Sequence, residues 1–365
     1  MFSATQSTFR FLTGFTPAIY SIIGALCLTA GFATSRLDAA EDYVVYEGGT
    51  GPGQGKHIVF LAGDEEYRSE ECLPQLAKIL AARHGFKCTV LFSIDESTGD
   101  INPQNGKSLS HPEAIDTADA FVMLLRFRQW PDETMARFIK AVEAGKPVIA
   151  LRTSTHAFNY GGNSDSPFAK YGWNYSKAPE WKGGFGKQIL GETWVAHHGH
   201  HKVEGTRGII EPSQAEHPIL RGVKDVFGDT DVYTANPPAD ATILMRGEVT
   251  KTLEPDSPAV EGKKNNPMQP IAWTRDHKHE TGSTSRIFTT TMGSATDIQS
   301  EGVRRMIINA VYWGLGQEAA INPTSNVAFV GEFVPTMYGF GSYKKGIKPA
   351  DLKMSPAELQ QAASR

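Results

Sequence analysis

The chain has 365 residues, 40% of them hydrophobic and 21% charged, which describes a folded globular protein rather than a disordered one. Its formal net charge of −4 gives no electrostatic case for binding nucleic acid. The length allows one large α/β domain or two small ones.

The N-terminus reads as a targeting segment. Arg10 precedes an uncharged run over 11–35, and Ala39 and Ala40 offer the small residues that signal peptidase needs. The expectation is a signal peptide over 1–40 and a periplasmic or secreted protein. The run is also long enough to span a bilayer, so an uncleaved N-terminal anchor is the alternative. Residues 41–55 are Gly-rich and read as a flexible lead-in.

The first expected strand, 57–62, is apolar and ends in Gly63-Asp64-Glu65-Glu66-Tyr67-Arg68. A helix follows, with Leu73, Leu76, Ile79 and Leu80 at helical spacing, closed by His84-Gly85. A second strand covers 86–92 and a third 120–125, the latter ending in Arg126-Phe127-Arg128. Pro131-Asp132-Glu133 opens another helix that stops at Gly145. A fourth strand begins at Pro147 and breaks into Arg152-Thr153-Ser154-Thr155-His156. Apolar strands alternating with helices predict an α/β fold with a doubly wound, mostly parallel sheet of the flavodoxin-like kind. The polar clusters after these strands then fall on one carboxyl edge, where open α/β sheets bind ligands.

Cys72 and Cys88 sit at opposite ends of the layer. The helical turns between them rise roughly 18 Å at 1.5 Å per residue. A disulfide needs Cα atoms within about 7 Å, so two unpaired, buried thiols are expected.

Residues 160–185 form a long loop carrying Tyr171, Trp173, Tyr175 and Trp181. A histidine run follows: His197-His198-Gly199-His200-His201. Further strands are expected near Val203, 208–210, 241–245, 270–274 and 286–291, and a last large helix from Ser300 to Gly314. Residues 318–365 read as an arm packed on the domain or on a partner, where it would build a homo-oligomer. Ser355-Pro356-Ala357-Glu358 is a capping box opening a short helix in it.

Several pieces in order resemble the trehalose-utilisation (ThuA-like) family. They are the strand and turn over 146–158, His217-Pro218-Ile219-Leu220-Arg221-Gly222-Val223, and Phe227-Gly228-Asp229-Thr230-Asp231-Val232-Tyr233. Pro270-Ile271-Ala272-Trp273-Thr274, Arg286-Ile287-Phe288-Thr289-Thr290-Thr291-Met292-Gly293 and the helix through Trp313 complete the pattern. The resemblance spans about 56–317. It implies a fold similar to class I glutamine amidotransferases and a place in disaccharide or keto-sugar catabolism. Amidotransferases carry a nucleophilic Cys after this strand, whereas this chain has Arg152, which argues against that activity.

The candidate catalytic residues are His156, Arg152 and Glu66. His156, with a reference pKa near neutrality, would move a proton, or else only tie down its turn. Arg126, Arg128 and Arg152 would converge on a negatively charged group, or else pair with Asp64, Glu65 and Glu66. Asp64, Glu65, Tyr67, Arg126 and Arg128 are candidate substrate contacts. So are Trp173 and Trp181, which would stack on a small carbohydrate or else anchor their own loop. His197, His200 and His201 are candidate ligands for a divalent metal such as Zn, or else a cleft-lining run that touches sugar. A non-catalytic sugar-binding or interaction module is the alternative to an isomerase, lyase or hydrolase.

Overall fold

The computed structural model describes residues 41–161 and 165–364. The expected signal peptide or anchor lies outside them. Among the described residues, no helix is long and apolar enough to cross a membrane.

A single ten-stranded sheet organises the chain. Its strands are β1 (Tyr43–Tyr46), β2 (His57–Gly63), β3 (Lys87–Phe92), β4 (Ala120–Leu125) and β5 (Val148–Leu151). They continue with β6 (Thr206–Ile210), β7 (Phe227–Gly228), β8 (Thr242–Val249), β9 (Gln269–Lys278) and β10 (Thr284–Thr290). The spatial order is β1-β3-β2-β4-β5-β10-β9-β8-β6-β7. Helices α1 (Ser69–His84), α2 (Asp132–Glu143) and α3 (Glu301–Gly314) cover the sheet, and α4 (Pro356–Ala363) lies in the C-terminal segment.

The sheet is mixed, which corrects the mostly parallel expectation. Strands β3, β2, β4, β5 and β10 run parallel to their neighbours within that block. Strands β1, β9, β8, β6 and β7 pair antiparallel. The reason is connection length. A parallel crossover needs about a dozen residues or more, usually with a helix. Only residues 279–283 separate β9 from β10, so these strands must form a hairpin.

The lead-in is also corrected. Within it, Tyr43–Tyr46 pairs with β3, and Val44 and Tyr46 are fully buried. The glycines that suggested flexibility serve close packing instead: a Cβ on Gly48 would meet the Gly85 carbonyl oxygen at 2.2 Å.

The helix stops read from the sequence are present. Gly85 caps α1 in the left-handed conformation at φ 81. Ser300 accepts the Val303 N–H at the start of α3, and Ser355 and Glu358 form the expected capping box. Cys72 and Cys88 are free and buried.

The C-terminal segment packs on its own domain. The Asn326 carbonyl oxygen lies 3.1 Å from His84 Nε2, and the Arg304 Nε donates to the Val327 carbonyl at 2.8 Å. Val327, Val330, Tyr338 and Leu359 are buried.

Candidate functional site

The site grows from the carboxyl ends of β2, β4, β5 and β10. Asp64, just past β2, accepts the backbone N–H of Glu66 at 2.6 Å and of Tyr67, a turn of the Asx kind. It also accepts the Thr153 hydroxyl, which ties the end of β2 to the end of β5. Burial and the neighbouring Glu65 push the Asp64 carboxyl up to about 6, against these hydrogen bonds. Its contacts are internal, so Asp64 shapes the turn rather than meeting a substrate.

The arginines do not converge on one anion. Glu65 takes a hydrogen bond from Arg126 and another from Arg128, the latter at 2.7 Å. Arg128 is buried, with further bonds to the carbonyls of Arg126 and Pro103. The pairing with acidic residues of the first strand end, one of the two readings of these charges, is the arrangement adopted.

Arg152 lies apart from them and has no solvent exposure. Its Nη1 donates to the carbonyls of Asp231 and Thr291 at 2.6 and 2.7 Å. Its Nη2 donates to Asp231 Oδ1 at 2.9 Å and to the Tyr67 hydroxyl at 3.2 Å. The guanidinium is sandwiched between Tyr67 and Tyr233, 4.6 and 3.8 Å from the ring centres. Arg152 therefore supports the site from beneath, and its expected contact with substrate is corrected.

What Arg152 supports is Asp231. Burial would raise this carboxyl, but the Arg152 guanidinium and hydrogen bonds from two histidines hold it well below the usual carboxylate range. His197 Nδ1 lies 2.7 Å from Asp231 Oδ2, and His201 Nδ1 lies 3.1 Å from Oδ1. The other nitrogen of His201 is 3.3 Å from Glu66 Oε1. The two carboxylates, Asp231 first, push the His201 imidazole up to about 9. The ligand-capable atoms of His197, His201 and Asp231 all lie within 4.8 Å of one another. Two imidazoles and one carboxylate so placed could hold a transition metal.

The histidine set is thus changed by one member. His200 is exposed and lies outside the cluster; its backbone N–H donates to Glu204 at 2.6 Å. Its place is taken by Asp231, more than two dozen residues downstream. The run is a turn whose N–H groups at His198 and Gly199 both reach the Val232 carbonyl.

The family model for trehalose utilisation matches residues 57–314. The chain belongs to the trehalose-utilisation (ThuA) family. A solved protein described as ThuA-like from Bacteroides uniformis is 12% identical, with a TM-score of 0.44, covering 75% of this chain and 96% of that one. Another from Parabacteroides merdae is 16% identical, also with a TM-score of 0.44, covering 82% and 99%. No curated protein matches the chain.

Within the ThuA region, His156 sits under the site at 3% exposure. Its Nδ1 is 3.1 Å from the Thr155 hydroxyl, and its ring packs on Phe127, Trp194 and Tyr233. Burial, then Arg126 and Arg152, keep its pKa well below the ordinary value. At this burial, with Nδ1 on Thr155 and aromatic rings around it, the imidazole is not open to a bound molecule as the expected proton-transfer role requires. Trp173 reaches the site through Phe127 and Trp194, at ring separations of 5.4 and 6.1 Å. Trp181 does not: it packs on Tyr171 and Lys170 in its own loop.

The residues that sequence reasoning missed are Asp231, Tyr233, Trp194 and Tyr338. Asp231 and Tyr233 stood in a quoted family stretch but received no role. Tyr338, beyond the ThuA-matched region, stacks on Tyr67 at 5.1 Å and meets the His201 ring at a tilt at 5.4 Å. Arg68, Phe127, Arg152 and Lys202 all take positive φ around this edge, the kind of backbone strain that gathers at functional sites.

The His201 arrangement makes stability depend on pH. Its folded pKa of about 9 exceeds the unfolded value near 6.5. The stabilisation is therefore fully present below about pH 6.5 and lost as pH rises through about 9. In chelator, His201→Gln is expected to cost about 1–2 kcal/mol at pH 6, after allowing for solvent screening of a half-exposed ring. By pH 10 the gap from the parent protein should close, as read from urea midpoints; a gap of equal size at both pH values would contradict this.

Proposed function

We propose that this ThuA-family protein is an exported carbohydrate-active enzyme acting on a disaccharide or keto-sugar. In this reading His197, His201 and Asp231 hold a divalent metal such as Zn, with Glu66 as the proton-transfer group. The observation that supports it best is the three-ligand cluster within 4.8 Å, set beside a second carboxylate at the sheet edge. Three protein ligands leave a coordination position for substrate or water, as in catalytic zinc sites. A metal bound there supplies Lewis-acid polarisation of a sugar carbonyl or hydroxyl.

The remaining work falls to the chain. Arg152 and the tyrosines below fix the orientation of Asp231 and exclude water from its rear face. Glu66 is largely buried, yet its carboxylate borders His201, so it is suited to take a proton from a sugar carbon or hydroxyl. The reaction class is isomerisation, elimination or hydrolysis. Glutamine amidotransfer is excluded from the proposal, because Arg152 stands where that chemistry needs a thiol.

One observation favours a second reading, a sugar-binding module without chemistry. Both nitrogens of His201 already face carboxylates, so an imidazolium satisfies Asp231 and Glu66 without any metal. Elemental analysis after incubation with Zn separates the two. About one equivalent of metal in the parent protein, lost in the His197→Ala/His201→Ala double variant together with turnover of keto-disaccharides, supports the enzyme. Absence of metal and of pH-dependent turnover in the parent protein supports the binding module.

A further inference from the structure

The rings around the metal-ligand cluster close a circuit. On one side, Arg126 lies between Phe340 and Phe127, 4.9 and 4.5 Å from their centres, and Phe127 meets Trp173 at 5.4 Å. On the other, Trp173 meets Trp194 at 6.1 Å, Trp194 meets His197 at 5.8 Å, and His197 meets His201 at 5.0 Å. His201 meets Tyr338 at 5.4 Å, and Gly339 joins Tyr338 back to Phe340. The buried His156 and Tyr233 lie under this collar, touching Phe127, Trp194 and His197.

Phe340 is the anomaly in the circuit. It is 62% exposed, and it is the one aromatic among the large hydrophobic side chains left exposed in the described residues. Leaving it in water forgoes the gain from burial. Yet the backbone that presents it is firmly held. The Gly339 N–H donates to the Glu66 carbonyl at 2.8 Å, and Arg68 donates to the carbonyls of Gly339 and Met337 at 2.6 and 3.2 Å. Tyr338 donates to the Asp229 carbonyl at 2.8 Å. Gly341, at φ 69, then turns the chain away in a conformation that favours glycine. A rigid segment that keeps a large aromatic exposed beside a cluster of polar ligands has the form of a preformed wall for a bound molecule.

We infer that Phe340 is a substrate-stacking, specificity-determining residue, supplied to the ThuA site by a segment outside the family-matched region. The occupant is a pyranose, whose C–H face packs on an aromatic ring while its hydroxyls reach Glu66 and the histidines. Arg126, neutralised by Glu65 and stacked behind the ring, fixes the angle of that wall. This inference rests on the carbohydrate reading above.

The test is titration with trehalose, followed by the intrinsic fluorescence of Trp173 and Trp194, both in the collar. Phe340→Ala is expected to weaken binding about three- to tenfold, the range of one aromatic stacking contact. Phe340→Tyr should bind within about twofold of the parent, since it keeps a ring face there. Neither change should move the melting temperature or the elution volume on size exclusion. Equal affinity in Phe340→Ala overturns the inference and leaves the carbohydrate reading standing. So does a change of oligomeric state, which would make Phe340 a contact between copies. If the parent protein gives no saturable response to trehalose, sucrose or methyl α-glucopyranoside, the carbohydrate reading falls and this inference with it.

Discussion

Arg152→Ala is expected to destabilise the protein by about 3–5 kcal/mol, the range for breaking a fully buried ion pair by removing one partner. Four acceptors lose a donor at once: the Asp231 and Thr291 carbonyls, Asp231 Oδ1, which keeps only His201, and the Tyr67 hydroxyl, which keeps only Tyr233. None can turn to water, because Arg152 and Asp231 are both without exposure. Arg152→Lys should recover less than half of the loss. An ammonium is a single compact charge and cannot span acceptors that a planar guanidinium reaches from two nitrogens. The check is a urea denaturation series, with the midpoint falling and the slope unchanged. A loss below about 1 kcal/mol would mean that the pair carries little of the fold, as exposed pairs do.

Ending the chain after Gln317 is expected to have a larger effect. The truncation removes Ile321, Val327, Val330, Tyr338 and Leu359, all buried against the domain. At about 1.5–3 kcal/mol for each large apolar side chain, the loss approaches ten kcal/mol. That equals much of the roughly 5–15 kcal/mol by which a native domain is stable. It also strips partners from His84, Arg83 and Arg304, which now bond to carbonyls of the tail. The truncated protein should be insoluble, or bind an apolar dye with no cooperative melt. Ending the chain after Ser342 instead keeps Tyr338 and gives up Leu359, so a cooperative melt at lower temperature is expected. A sharp transition near the full-length value in the Gln317 variant would show that the tail is dispensable for folding.

The first experiment concerns a charge pair whose halves lie just past β5 and between β7 and β8. The second concerns a stretch that the ThuA match does not cover, though Tyr338 and Gly339 touch His201 and Glu66.

Much of the edge that bears the site was legible in the sequence. The apolar runs that became β2, β4 and β5 each end abruptly in charged or polar residues, and those residues do share one edge. The direction of β9 and β10 was not legible, because the strands expected near 270–274 and 286–291 left 275–285 between them, whereas the strands reach Lys278 and start at Thr284 and leave no room for a crossover. Strand β1 was hidden because Tyr43-Val44-Val45-Tyr46 is short and the glycines after it dominated the composition.

Which charges meet was not legible. Glu65 had three arginines within reach of a plausible sheet and took two, while Arg152 went to Asp231. The histidine run showed the same limit. His200 and His201 are adjacent in sequence, yet the turn at Gly199 sends only His197 and His201 to Asp231.

The amino-acid sequence by itself determined the parallel half of the sheet, the helix caps and the edge where chemistry gathers. These follow from local periodicity, glycine stops and the polarity change at strand ends, all properties of neighbouring residues. Only the tertiary structure decided that Arg152 is a buried support, that Asp231 completes the histidine cluster, and that Tyr338 and Phe340 close the collar. Those partners lie dozens of residues or more apart along the chain, and whether a charge faces a ligand or another residue depends on burial, which no local pattern encodes.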